Sequence, residues 1–200
     1  MFPLAGRHGI WLRVGLLSSV TVESNVSTGT VSTDVRENGP FGGIGYEYWL
    51  NPEWSVGLDL SFVDAGASST VGVGTVTSEA ASVTAVLIGA SYYPRQLAVG
   101  SSFRPCVSLA AGPYVGSASN SIVDTSVSSE SITSTAAGLR AQIGADLFFA
   151  RRFAAGIAAG YAFVSDFSEQ IGGHNNYSGP EFSVGIGILL GAGRSSQAAR

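Results

Sequence analysis

The last long polar stretch of the chain, SDFSEQIGGHNNYSG, carries His174 and Ser178 together with Asp166 and Glu169. A serine, an imidazole and a carboxylate are the parts of a nucleophile, a general base and an orienting acid. Their spacing matches no triad motif, and Gly, Asn and Ser are ordinary residues of a polar loop, so no catalytic residue is assigned. A second group is six charges set into apolar surroundings: Arg13, Glu47, Asp59, Arg140, Asp146 and Glu181. Ion pairing is the chemistry open to them, either as a salt-bridge network that fills an interior or as the lining of a narrow polar path. The lone Cys106 has no Cys or His neighbour at metal-ligand spacing and reads as a small buried residue. His8, at the edge of the first apolar segment, reads as interfacial. No metal and no cofactor is expected. Asn25 in NVS and Asn176 in NYS match the glycosylation acceptor pattern by chance, and GPFGGIG, with no helix behind it, is not a phosphate cradle.

The elements that hold these residues follow from periodicity. In GLRAQIGADLFF, Arg140, Gln142, Gly144 and Asp146 alternate with Leu139, Ala141, Ile143, Ala145 and Leu147. A helix would scatter the polar set around its circumference, whereas a strand gathers it on one face. The same period recurs near residues 8 to 20, 40 to 50, 54 to 64, 80 to 93, 103 to 117, 134 to 149, 153 to 165 and 180 to 191, with turn residues between. The chain is therefore all-β, with about eight strands.

Composition narrows the class. The 200 residues include 27 Gly, 45% hydrophobic and 12% charged residues, which suits one folded domain and excludes a charged disordered chain. The net charge is -4 and every cation is an arginine, so no basic stripe is available to a nucleic acid. Mean hydropathy is high at +0.29, yet no run approaches the roughly 18 apolar residues of a spanning helix. The N-terminal MFPLAGRHGIWLRVGLL does not read as a clean signal peptide, because Arg7 and Arg13 interrupt it.

Connections alternate in kind. Asn51, Pro52 and Glu53 make one tight turn and Ala150, Arg151 and Arg152 another, while YPRQLAVGSSFRP is longer. The other connections are long and polar, and are expected to be mobile loops open to protease near Gly29, Gly72 or Ser128. Short turns at one end and long loops at the other are the pattern of an outer-membrane barrel. Outward-facing apolar faces then leave Gly, Ala and the charges inside, where a small barrel needs small residues and the charges can pair. Inverted faces would give a soluble barrel for an apolar ligand, with an outer surface of Gly and Ala. Counting from the short turns makes Arg13 with Glu47 the expected pair. Trp11, Trp49, Trp54, Tyr92, Tyr93, Phe103, Phe149 and Phe153 fall at the short-turn end, as an aromatic girdle would. Arg7, Arg95, Arg151, Arg152, Arg194 and Arg200 lie at that same end. Glu23, Asp34, Glu37, Asp64, Glu79, Asp124, Glu130, Asp166 and Glu169 lie in or beside the long connections.

The strand-turn-strand unit FGGIGYEYWLNPEWSVGLDLSF, the segment VLIGASYYP and the final FSVGIGILLG together resemble the small eight-stranded outer-membrane barrels of Gram-negative bacteria, of the OmpA-like transmembrane domain type. The resemblance implies a closed antiparallel up-and-down transmembrane β-barrel over residues 1–193, followed by a polar C-terminal tail, 194–200. It departs from the family in one respect: such barrels commonly end on an aromatic residue, and here GAGRSSQAAR continues past Leu190. The implied role is structural or surface-interactive, adhesion-like, in a monomer whose partners are outer-membrane lipid and an extracellular ligand or host surface reached through the long loops. The alternatives are a small-solute channel or transporter and, since lipid A is modified by enzymes on similar barrels, an outer-membrane lipid-modifying enzyme.

Overall fold

The computed structural model describes residues 4–18, 20–25, 30–35, 39–71, 76–123, 127–149, 152–172 and 174–191. Within them β1 (His8–Leu17), β4 (Gly39–Trp49), β5 (Trp54–Val71), β6 (Val76–Tyr92), β7 (Phe103–Val123), β8 (Val127–Phe149), β9 (Phe153–Val164) and β10 (Gly179–Leu190) pair antiparallel with their neighbours. β1 also pairs with β10 from His8↔Leu190 to Leu17↔Glu181, which closes the ring. β2 (Val20–Asn25) and β3 (Thr30–Val35) form a separate hairpin within the first long connection.

Alternation decides which side chains face out. Ile10, Leu12, Val14 and Leu16 of β1, Leu58 and Phe62 of β5, and Val184, Ile186 and Ile188 of β10 are exposed on the outer wall, while the residues between them turn inward. An outer wall of bare aliphatic side chains suits hydrocarbon and not water. The turns at one end are made locally: Asn51 Oδ1 accepts from the backbone N–H groups of Glu53 and Trp54 at 2.8 and 2.9 Å, which folds β4 back into β5. Between β6 and β7 the longer connection contains a 3₁₀ turn, Arg95–Leu97, and a bridge between Val99 and Phe103.

Two expectations are corrected here. Trp11, Trp49 and Tyr93 are not on the outer wall; they are buried inside the barrel. Strand parity explains it, since Trp11 shares a face with Arg13, and Trp49 with Glu47. The outward aromatic residues at the turn end are Trp54 beside Tyr92, with ring centroids 4.8 Å apart, Phe149 beside Phe153 at 6.2 Å, and Phe103.

The long connections are also less loop-like than their Ser and Thr content suggests. β5 and β6 stay paired to Val71↔Val76, and β7 and β8 to Val123↔Val127, so both are extended hairpins; Ser128 is a paired strand residue. Gly29, Gly72, Arg151 and the 194–200 tail lie outside the described residues. These strand ends extend past the last rungs of β4 and β9, and their sequence, rich in Ser and Thr, carries no apolar alternation to mark a strand.

The face assignment yields a contrast. Leu58→Arg puts a charge on the outer wall and should cost about 2–4 kcal/mol in reversible unfolding from lipid. Gly45→Ala, whose new Cβ would lie at ordinary contact distance, 3.5 Å from Asp59 Oδ2, should cost much less. Gly57→Ser is not an equally mild interior change, because its Cβ would collide with the Tyr46 carbonyl. Equal penalties for Leu58→Arg and Gly45→Ala would invert the faces.

Candidate functional site

The six interior charges sort into two tiers. In the upper tier Asp59 accepts from both arginines: Arg13 Nη1 donates to Oδ2 at 3.0 Å and Arg140 Nη1 to Oδ1 at 2.7 Å. Arg140 also donates from Nη2 to Ser61 Oγ at 2.9 Å, and its Nε lies 3.2 Å from Glu181 Oε1. Gln142 Nε2 donates to that same Glu181 oxygen at 2.5 Å. Two cations and two carboxylates balance in this tier.

The lower tier holds Glu47 and Asp146, and the donors on them are neutral. Trp11 Nε1 donates to Glu47 Oε2 at 3.0 Å and the Ser55 hydroxyl to Glu47 Oε1. Tyr93 bridges the two acids, its hydroxyl 3.2 Å from Glu47 Oε1 and 2.8 Å from Asp146 Oδ2, with one hydrogen to serve both. The buried indole and phenol are thus polar partners of the acids as well as bulk.

The pairing of Arg13 with Glu47 read from the sequence does not form. Opposite Arg13 on β4 is Gly43, whereas Glu47 stands opposite Gly9, an offset of four residues or about 14 Å of strand. The Arg13 side chain instead crosses Gly45, the residue paired with Asp59, and that glycine leaves the passage open. The stagger of the strands, which no single strand's pattern reveals, decides the pair.

Apolar side chains close both ends of this polar layer. At the turn end Leu4, Trp11, Trp49, Phe148, Ala154 and Leu189 pack together, and Arg104 Nη1 donates to the Pro52 carbonyl at 2.8 Å. At the other end the connection between β9 and β10 folds into the mouth. Ile171 is fully buried against Gly116, whose missing Cβ makes its seat, and Phe167 packs edge-on to Tyr177. Between the ends remain small interior cavities of about 60 and 40 Å³, the first lined by Arg13, Asp59, Arg140 and Gln142, the second by Tyr93, Cys106 and Asp146.

The serine, the imidazole and Asp166 of that connection make contacts within it and to β9. Ser178 Oγ donates to the Val164 carbonyl at 3.0 Å and accepts from the Val164 N–H at 2.8 Å, so its proton is directed at backbone. Asp166 accepts from Asn176 Nδ2 at 2.8 Å, and the His174 ring lies edge-on to Tyr177. Among the described residues no group of three His, Cys, Asp or Glu could hold a metal ion.

The profile of the outer membrane protein beta-barrel domain matches residues 5–188. The chain belongs to that family. It is a barrel of the bacterial outer membrane. Among solved structures, Neisserial surface protein A (NspA) is 12% identical with a TM-score of 0.59, covering 92% of this chain and 97% of its own. The attachment invasion locus protein Ail of Yersinia pestis is 17% identical with a TM-score of 0.52, covering 93% and 99%. OprG of Pseudomonas aeruginosa is 16% identical with a TM-score of 0.52, covering 94% and 97%. A search of curated proteins finds no significant match.

The two tiers make separable predictions for this outer-membrane barrel. Arg140→Met leaves Glu181 with no cation and Asp59 with Arg13 alone, and should destabilise by about 3–5 kcal/mol. Arg13→Ala, at a side chain one-third exposed to the interior cavities, should cost less. A double-mutant cycle should couple Arg13 to Asp59 strongly, while Arg13 and Glu47, linked only through Trp11, which lies beside the Arg13 guanidinium and donates to Glu47, should couple more weakly. Coupling of Arg13 to Glu47 in place of Asp59 would contradict the register.

Proposed function

We propose that this outer-membrane barrel is a non-conducting surface-interaction protein whose contact surface is a sheet standing above the barrel rim. The observation that carries it is the unequal strand length. β5 last pairs with β4 at Val63↔Phe41, yet runs on beside β6 to Val71; β8 last pairs with β9 at Gly138↔Val164, yet runs beside β7 down to Val127. The register shifts between Asp64 and Gly66, where β5 leaves β4, as a bulge that re-aims the strand. Four strands therefore continue as an open sheet with two backbone edges, 65–71 and 127–136, since Ala137 is still bonded to Ser165 through its N–H and its carbonyl.

An open sheet edge pairs readily with an extended segment of another chain, which is the recognition mode this shape suits. With short turns periplasmic and longer connections extracellular, the sheet faces the cell exterior. The long connections carry nine carboxylates against the single cation Arg36. Ail has been crystallised with the heparin analogue sucrose octasulfate. The acidic balance here favours a neutral or basic protein segment over such a polyanion. The paired charges and the apolar packing at both barrel ends support a filled interior in place of a solute path, and Ser178, committed to backbone, supports a non-enzymatic role.

Replacing residues 68–79 and 121–129 by short turns should remove binding of displaying cells to protein-coated surfaces while the barrel keeps its heat-modifiable migration. Binding that survives this truncation would overturn the reading. In planar bilayers the unmodified protein should pass negligible current; a stable ohmic current of porin size would replace the surface role with a channel.

A further inference from the structure

The outer wall is not uniformly convex. Beside the connection from β6 to β7 lies a groove of about 450 Å³, within the roughly 300–1,000 Å³ of ordinary ligand pockets. Its origin is a run of small outward residues. Pro105 of β7, Ala145 of β8 and Ala159 of β9 lie in two register rows, Pro105–Ala145–Ile157 and Val107–Ile143–Ala159–Phe182. The small residues form the floor, and Ile143, Ile157 and Phe182, each at least half exposed, form the walls.

The connection supplies the roof. β6 and β7 pair only as far as Tyr92↔Val107, so the wall below that rung is completed by the segment that holds the 3₁₀ turn. Pro94 and Leu97 of that segment line the groove. Between them stands Arg95, whose side chain is 55% exposed and whose Nε lies 2.6 Å from Glu53. The segment that roofs the turn end of the groove thus also carries the ion-paired Arg95, and from there the groove runs along the wall as a trough of carbon.

We propose that this groove is a seat for one acyl chain of a periplasmic-leaflet phospholipid, its phosphate lying beside Arg95. The occupant follows from the chemistry: hydrocarbon is what meets the outer wall of a membrane barrel, a trough holds a linear chain better than a flat wall does, and a cation marks the headgroup level. A chain lying in the groove touches protein on several sides, and because the surrounding hydrocarbon is as apolar as the groove, packing contact holds it there.

The test is native mass spectrometry of the full chain in detergent, titrated with dioleoyl phosphatidylglycerol. Ala145→Phe with Ala159→Phe fills the floor, whereas Ala111→Phe adds a similar bulk to an exposed position on the same wall outside the groove. The unmodified protein and Ala111→Phe should hold one tightly bound phospholipid. The filled variant should lose it by about tenfold or more in apparent affinity, and Arg95→Gln should weaken it less, since the chain remains seated. Heat-modifiable migration of every variant verifies that the barrel is intact. Equal lipid retention in the filled variant and in Ala111→Phe would overturn the proposal, as would a mass showing a second copy of the chain released by filling the groove.

Discussion

In hydrocarbon no water can satisfy a backbone N–H or C=O, so a sheet that crosses a membrane must have no free edge. The seam between β1 and β10 is where this chain meets that constraint, with ten paired residues on each side. Everything else in the wall follows from closure at eight strands. A ring of that size encloses an interior just wide enough for side chains. Aliphatic residues are therefore placed outside, where lipid accepts them, and glycine, alanine and serine inside, where space is short.

Filling the narrow interior is done in layers. Indole, phenyl and leucine side chains close the turn end, two tiers of charge and hydroxyl occupy the middle, and Ile171 with Phe167 and Tyr177 closes the mouth. The charges are the demanding part, since each ion taken from water needs partners close by. Arg140 meets two carboxylates and a hydroxyl, and Asp59 meets two arginines. Glu47 and Asp146 rely on Trp11, Ser55 and Tyr93, which gives large aromatic residues an interior position that their size alone would not suggest.

The faces, the strand number and the membrane environment were legible in the sequence because period-2 alternation is a local property. Leu12 and Arg13, or Leu58 and Asp59, announce their opposite sides wherever the strand is placed. The same rule applied to Trp11 and Trp49 puts them inside, since nearness to a turn says nothing about which face a side chain takes. Pair identities were not legible, since Arg13 meets Asp59 through the stagger of β1, β4 and β5, and stagger belongs to the closed ring. The extended strands above the rim were hidden for a different reason. Their Ser and Thr residues follow one another without regular apolar partners between them, so the pattern that marks a buried strand is absent there. The backbone bonds of Ser178 were not legible either, since the sequence does not show that Val164 lies beside it.

Closure itself is open to direct measurement by amide hydrogen exchange of the protein in lipid bilayers. Backbone amides from Ile10 to Gly15 and from Ser183 to Ile188 should exchange as slowly as those of the membrane-embedded part of β7 and β8, because the seam is bonded like any other pair. Seam amides that exchange as fast as those of the separate β2–β3 hairpin would mean an open sheet, and with it the loss of the transmembrane barrel.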